Sequence, residues 1–250
     1  MENKNQMALG LMGIGLLVVP WWLLTVPLSS ELSLIRRFAP GAALTTLTDL
    51  LAHAEIWTHI AVSLKRVFVG LGLALLVGVP LGLLLGRSAT ANATLSPAFR
   101  FLRMISPLSW MPIAVIAFGV GDRPVYFLLA FAAVWPILLN TTAGVRALDP
   151  RWLQLSASLA ANRWETLRGV VLPGILGHVL TGTRLAIGIV WIVLVPCEML
   201  GVTAGLGYYI LDTRDRLDYQ GLMATVVLIG LLGFLLDFSF RKLCQRWRKS

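Results

Sequence analysis

Residues 66–87 read "RVFVGLGLALLVGVPLGLLLGR", an arginine at each end of a run without a single charge. A hydrocarbon core of about 30 Å takes about 20 residues of helix at about 1.5 Å rise each, so the run has the length and composition of a membrane span. Gly70, Ala74, Gly78, Gly82 and Gly86 recur every fourth position and lay one smooth ridge along it, the small-xxx-small pattern by which membrane helices approach closely. Such a ridge serves packing within one bundle or a dimer face. Packing within the bundle is the expectation, because any tight crossing uses it. Pro80 removes one backbone hydrogen bond from this helix and predicts a kink.

Outward from this run, the 250 residues are 57% hydrophobic and 13% charged, which is far from an average soluble domain. Six stretches qualify as spans: 8–28, 63–86, 104–120, 125–144, 179–200 and 221–240. No stretch between them exceeds about 35 residues, too short for a separate core. The chain is therefore read as one all-α, polytopic membrane protein with six transmembrane helices. The first stretch follows Lys4 as a signal peptide would. Its length, and the lack of a small-x-small cleavage pattern after Pro27, predict a retained anchor.

The net charge of +9 does not point to nucleic acid, since the basic residues sort by loop and not into a patch on a soluble module. With the N terminus inside, Lys4, Arg87, Arg100, Arg103, Arg146, Arg151, Arg163, Arg168 and the tail residues Arg241, Lys242, Arg246, Arg248 and Lys249 face the cytoplasm. The other side holds Arg36, Arg37, Lys65, Arg66, Arg123, Arg214 and Arg216, with Arg184 inside a span. The positive-inside rule then predicts both termini in the cytoplasm. Residues 29–62 read as an amphipathic external surface segment, and 201–220 as a glycine-rich turn followed by a short polar helix.

The third stretch carries Pro107 and Pro112 beside Ser106, Ser109 and Trp110. A helix broken there suits the wall of a polar cavity, where freed carbonyls find partners, and equally a kinked core helix.

Residues for chemistry are scarce. His53 and His59 are six apart, off the spacing that places two metal ligands on one helix face, and read as solvated surface histidines. Cys197 and Cys244 fall at opposite ends of the topology, so neither a disulfide nor a metal site is expected. No G-x-S-x-G occurs, and no G-x-x-x-x-G-K-[ST], so neither an intramembrane serine hydrolase nor a nucleotide-hydrolysing loop is indicated; no catalytic residue, metal or cofactor is assigned. The ionisable residues in or beside spans, Arg184, Glu198 and Asp237, all lie near helix ends. An ion-coupled secondary transporter, the alternative reading, ordinarily needs such charge at mid-depth. Arg214 and Arg216 each stand beside an aspartate and read as a solvated mixed-charge run.

One long polar interruption remains, "DPRWLQLSASLAANRWETLRGVVLP", residues 149–173, on the cytoplasmic side. Asp149-Pro150 is a helix start, and Asn162 with Glu165 three residues on has the form of a capping box that starts a second helix. Two short helices joined by a tight turn are predicted, as a docking knob or a hairpin lying on the membrane surface.

Here the residues resemble a family, the type I permease subunits of ATP-binding cassette (ABC) importers. Their cytoplasmic motif reads E-A-A, three residues, G, nine residues, I-x-L-P. In register with Leu172-Pro173, Val170 stands for the Ile, Ala160 for the Gly, and Gln154, Leu155 and Ser156 for the E-A-A. The spacing is intact while the Glu and Gly are replaced, so the turn at Ala160 would need a left-handed residue other than glycine. The likeness runs from about residue 45 onward, through "PLSWMPIAVIAFGVGD", "WPILLNTTAGVRALDP" and "GLGYYILDTRDRLDYQ", and is nearest the sulfonate, taurine and nitrate branch.

The resemblance implies the MetI-like permease fold, with an anchor helix and external segment over 1–44 and the permease domain over 45–250. It implies a bacterial inner-membrane homodimer in lipid, two ABC ATPase subunits, and an extracytoplasmic solute-binding protein. It gives Gln154, Ser156, Ser158, Leu159, Ala160, Ala161, Asn162, Arg163 and Glu165 to ATPase coupling. Ser106, Ser109, Trp110 and Glu198 are candidates for the translocation path or gate; for Glu198 the alternative is a plain helix-end charge.

Overall fold

The computed structural model describes residues 13, 15, 16, 18–26 and 37–249. Nine of the 21 residues of the first span predicted over 8–28, together with Lys4 and Arg36, lie outside them, and residues 18–25 of that stretch are helical. The described elements are helical: α1 (Pro40–Ala52), α2 (Ala54–Arg87), α3 (Ala89–Met104), a 3-10 turn (Pro107–Trp110), α4 (Met111–Phe118), α5 (Asp122–Arg146), α6 (Pro150–Ser158), α7 (Arg163–Glu198), α8 (Leu206–Asp215) and α9 (Tyr219–Lys249). Of these, α2, α5, α7 and α9 are long and apolar enough to cross a membrane, and α3 with the segment Pro107–Phe118 forms a fifth, broken candidate.

The glycine ridge of α2 is filled by α5 of the same chain. A Cβ added at Gly70 would stand 2.7 Å from Leu129 Cβ, one at Gly78 3.0 Å from Ile137 Cγ2, and one at Gly82 2.6 Å from Thr141 Cβ; Gly86 faces Val145. Lipid tails are as apolar as the helix surface, so close van der Waals contact is what holds such a pair together. The partner numbers rise in step with the glycine numbers, so α2 and α5 run parallel. On the other face of α5, Gly144 meets His178 and Gly182 meets Asn140, a falling register that makes α7 antiparallel to it.

Two successive spans that run parallel require a return crossing between them. The chain returns through the bent pair of α3 and Pro107–Phe118, not through the continuous span predicted over 104–120. The helix pair is bent by 89° at Ile105-Ser106. Pro107 opens the 3-10 turn and Pro112 sits in the first turn of α4. Proline lacks only an N–H that a first turn leaves unpaired, so both prolines start elements and interrupt none. Pro107–Phe118 extends roughly 20 Å, less than a hydrocarbon core. Before the bend, where the sequence reading placed only a loop, α3 forms an amphipathic arm with none of its residues buried.

The core packs Leu128, Leu129 and Ile137 of α5 against Val67 and Leu71 of α2 and Val190 and Leu194 of α7. A second cluster, Leu47, Ile56, Ile60, Leu206 and Leu228, ties α1 and α8 to α2 and α9. Helix α2 begins at Ala54, so the external segment predicted over 29–62 is partly the first turns of this span.

Candidate functional site

The knob begins where Asp149 Oδ1 accepts the Arg151 N–H at 2.9 Å and Pro150 sets the first turn of α6. It ends in a Schellman turn: Ala161 N–H donates to Ser156 O at 3.1 Å and Ala160 N–H to Ala157 O at 3.0 Å, with Ala160 at φ +54°. The left-handed residue demanded by the motif's glycine position is thus an alanine. Asn162 then caps α7. Its Oδ1 accepts from the N–H groups of Trp164 and Glu165 at 2.9 Å each, and Glu165 Oε2 accepts from Asn162 N–H at 2.7 Å. The predicted capping box is present in full.

The second knob helix is not separate, as expected from sequence, but continuous with the fifth predicted span. Residues Arg163–Thr166 pass through a π-helical turn, Leu167–Val171, directly into Leu172–Glu198. The turn absorbs one extra residue without breaking the helix, so Pro173 falls near the start of the regular stretch and stops nothing. Ser156, buried, lies with Oγ 2.7 Å from Thr166 Oγ1 and pins the two arms together. Leu159 is 74% exposed and Trp164 60% exposed; Gln154, Ser158 and Arg163 are exposed beside them and Ala161 is half-buried. Arg168 stacks over the Trp164 ring at 5.1 Å.

About 36 residues away along the same helix, Glu198 is fully buried. Its Oε1 accepts from Arg66 Nη1 at 2.8 Å, its Oε2 from Gly207 N–H at 3.0 Å, and Ser63 Oγ is 2.8 Å from both. Arg66, 2% exposed, also donates Nη1 to Ala204 O at 2.6 Å, and Nε and Nη2 to Asp122 Oδ1 at 3.0 and 2.6 Å. Leu206 N–H donates to Ser63 Oγ at 2.8 Å and Gly205 N–H to His59 Nδ1 at 3.0 Å. Nδ1 is therefore an acceptor, and the ring proton of a neutral His59 sits on Nε2. Gly205, at φ +124°, leaves no room for a side chain: a Cβ would stand 2.5 Å from Arg66 Nη1 and from Glu198 Cδ.

Sequence reading found Glu198 and missed the rest of this cluster. His59 is buried, not solvated, its ring 6.0 Å from that of Tyr208 and 5.1 Å from that of Tyr209. Burial, then the Glu55 carboxylate, push the Tyr209 phenol above its ordinary pKa. The missed signal is periodic: His59, Ser63 and Arg66 are spaced i, i+4, i+7, one face of α2. His53 is exposed as expected. Arg214 and Arg216 are exposed and paired with Asp215 and Asp212, as the mixed-charge reading anticipated.

At the bend before α4, Ser106 and Ser109 are exposed, while Trp110 packs on Phe131 at 5.6 Å with its Nε1 buried and without a hydrogen-bond partner among the described residues. Three of the four path candidates thus lie together at the bend, and Glu198 lies apart from them. Among the described residues no group of three His, Cys, Asp or Glu side chains is placed to hold a metal ion.

Comparison with known proteins accords with this architecture. The chain is 39% identical over 193 residues to the bicarbonate transport system permease protein CmpB of Synechococcus elongatus, covering 76% of this chain and 68% of that one. It is 32% identical over 248 residues to the taurine transport system permease protein TauC of Escherichia coli K12, covering 97% and 90%. Among solved structures, a chain of the inward-facing MetNI methionine ABC transporter superposes with a TM-score of 0.63 at 18% identity, over 77% of this chain and 97% of that chain, a likeness of fold. Residues 78–249 match the family described as "Binding-protein-dependent transport system inner membrane component". With its spans, its knob and relatives across nearly its whole length, the chain belongs to that family, the permease subunits of ABC importers, whose ATPase and solute-binding protein are separate partners.

Proposed function

We propose that this chain forms one half of the path through which an ATP-driven importer carries a small oxyanion-bearing solute inward, of the sulfonate, taurine, nitrate or bicarbonate kind. A second copy supplies the other half, lipid surrounds the apolar outer faces, and both termini lie in the cytoplasm. The permease body is residues 45–250, with 1–44 as anchor and external segment; α1 straddles that join. The solute class rests on the names of the relatives, which share a small oxyanion.

The observation that carries the reading is the knob. Exposed Leu159 and Trp164 stand on a tip fixed by a Schellman turn, a capping box and the Ser156–Thr166 contact, at the end of a helix that continues across the membrane. A rigid apolar tip is what a docking surface needs, because little side-chain order is lost on binding. Ser158, Leu159, Ala161, Arg163 and Gln154 face the ATPase; Ser156, Ala160, Asn162 and Glu165 hold the tip in shape.

The mechanism follows from continuity. Helix α7 spans about 54 Å at 1.5 Å per residue, so a displacement at the knob reaches the Glu198 end through one unbroken element. ATP binding, by drawing two knobs together, favours one of two packings of the bundle. Ser106, Ser109 and Trp110, at the bend, line the path between them, and the Glu198 cluster gates its outer end.

The test is Ser158→Arg in vesicles holding the permease, its ATPase subunits and its binding protein. ATP hydrolysis persists while ATP-driven uptake falls at least tenfold. Uptake at the wild-type rate, with hydrolysis still stimulated by loaded binding protein, would place the docking surface elsewhere.

A further inference from the structure

A cavity of about 390 Å³ opens between α3, the end of α2 and the cytoplasmic end of α5, and Arg100, Arg103 and Arg146 all line it. A second cavity of about 370 Å³ adjoins it through Arg103, Trp135 and Leu139 and continues to Asn140 and Ile189 between α5 and α7. No aspartate or glutamate lines either one.

The three guanidiniums have no carboxylate partner among the described residues. Arg146 Nη2 donates only to Leu85 O, at 3.3 Å. Arg66, Arg184, Arg214, Arg216 and Arg241 each have a carboxylate oxygen within hydrogen-bonding reach, and among the described arginines without one, these three are set apart by sharing one cavity.

The positive-inside rule accounts for arginines at this depth, but not for their convergence. On α3 the lining residues Asn92, Ser96, Phe99, Arg100 and Arg103 fall at i, i+4, i+7, i+8 and i+11, one complete face of the helix. Arg146 comes to the same cavity from a different helix. Ser96 Oγ donates to Asn92 Oδ1 at 2.8 Å, which leaves the Asn92 amide N–H groups free to donate. The apolar wall is Phe99 against Trp135, ring centroids 5.9 Å apart. Three like charges around one acid-free cavity repel each other until an anion joins them. Guanidinium forks match the oxygens of an oxyanion with paired, charge-assisted hydrogen bonds.

We propose that this cleft is an oxyanion-binding site at the cytoplasmic end of the permease, with Arg100, Arg103 and Arg146 as its ligands. Where the oxyanion is the transported solute, the site is the last station of the path proposed above, and the second cavity, running inward from Arg103, is its approach. Where it is a lipid phosphate, the same guanidiniums hold a headgroup.

The experiment is radiolabelled sulfate binding to the full chain in nanodiscs of neutral phosphatidylcholine, at constant ionic strength set with chloride, repeated in nanodiscs containing phosphatidylglycerol. Saturable sulfate binding in neutral lipid, weakened about tenfold or more by Arg103→Gln and substantially kept by Arg103→Lys, supports the site with a free anion as its ligand. Loss of that binding when phosphatidylglycerol is added, with retention of phosphatidylglycerol through purification that Arg100→Gln/Arg103→Gln/Arg146→Gln abolishes, supports the site with lipid as its ligand. If neither sulfate nor phosphatidylglycerol distinguishes wild type from the triple variant, the proposal is overturned. Melting temperature of the triple variant, unchanged from wild type, excludes misfolding as the cause. Binding is read without ATPase or uptake, so its failure is separate from failure of the importer reading.

Discussion

The two ends of helix α7 lie in opposite electrostatic settings. At the Glu198 end, Arg66 is shared between Glu198 and Asp122, and turn amides complete the shell around the buried carboxylate and Ser63. At the Arg163 end an apolar tip stands exposed, and at the end of α5 opposite Asp122 three arginines of α3 and α5 face a cavity without a carboxylate. Counting charges per loop predicts which side of a membrane an arginine occupies. It does not say whether that arginine is a structural cation or an available one; pairing does. The Glu198 cluster is built as an anchor, while Arg100, Arg103 and Arg146 keep unmet bonding capacity.

The largest expected effect comes from breaking the anchor. Glu198→Gln leaves a buried guanidinium with one charged partner fewer, which costs about 3 kcal/mol. It appears as a lower melting temperature in mild detergent and poor recovery from membranes. Replacing both partners, Arg66→Met with Glu198→Leu, regains only a part of that loss: the apolar pair carries no desolvation penalty, but the buried Gly207 N–H loses its acceptor and Asp122 its arginine. A Glu198→Gln protein as stable as wild type would erase the distinction between the two ends.

Next in size is the ridge that fixes α2 against α5. A Cβ at Gly82 would lie 2.6 Å from Thr141 Cβ and 2.9 Å from Leu138 O, a backbone atom that cannot step aside. Gly82→Val costs about 1 to 3 kcal/mol by overpacking. Gly72, on the same helix, has nothing within 4 Å, and Gly72→Ala leaves stability equal or improves it by up to about 1 kcal/mol. If both variants melt alike, contact along the ridge does not hold the two spans.

These contrasts mark how far the sequence was legible. The four continuous spans, the small-residue ridge and the N-cap at Asn162 could be read because each is a local pattern with a short-range cause, whereas the left-handed need at position 160 came only from the resemblance to the permease motif. The bend at Ile105-Ser106 could not. Pro107 and Pro112 announce a break but not that α3 turns away to form a separate arm. The Glu198 cluster was half visible: the acid at a helix end stood out, while His59 was read as a solvated surface histidine, Arg66 as an external charge and Ser63 only as the first residue of a span. Their burial comes from the Gly205–Gly207 turn folding over them, a contact between positions some 140 apart in the chain. The continuity of α7 was hidden for a further reason, since Leu172-Pro173 looks like a stop and becomes one only if the helix has no π turn before it.

At the Arg163 end of α7, the cap that shapes the knob is the more modest target. Asn162→Ala removes the acceptor for two N–H groups and costs about 1 to 2 kcal/mol locally. Hydrogen exchange over residues 150–166 quickens while the exchange of α5 stays unchanged. Uptake falls with it, since the tip loses its fixed form.

The smallest effect sharpens the comparison most, because the same turn closes a helix at each end. Beyond α8, Asp218 N–H donates to Thr213 O at 2.9 Å and Leu217 N–H to Arg214 O at 3.0 Å, with Leu217 at φ +57°. This is the Schellman geometry of Ala160, again without glycine. A left-handed residue with a Cβ costs roughly 1 to 2 kcal/mol more than glycine, offset in part by the greater freedom glycine has in the unfolded chain. Ala160→Gly and Leu217→Gly therefore each relieve backbone strain of about 1 kcal/mol, though Leu217→Gly also gives up an exposed leucine side chain. If the knob alone transmits motion, Ala160→Gly changes the uptake obtained per ATP hydrolysed, whereas Leu217→Gly leaves that ratio at the wild-type value. Equal changes in both variants would mean that the ratio follows helix-end strain in general and that the knob holds no special place in coupling.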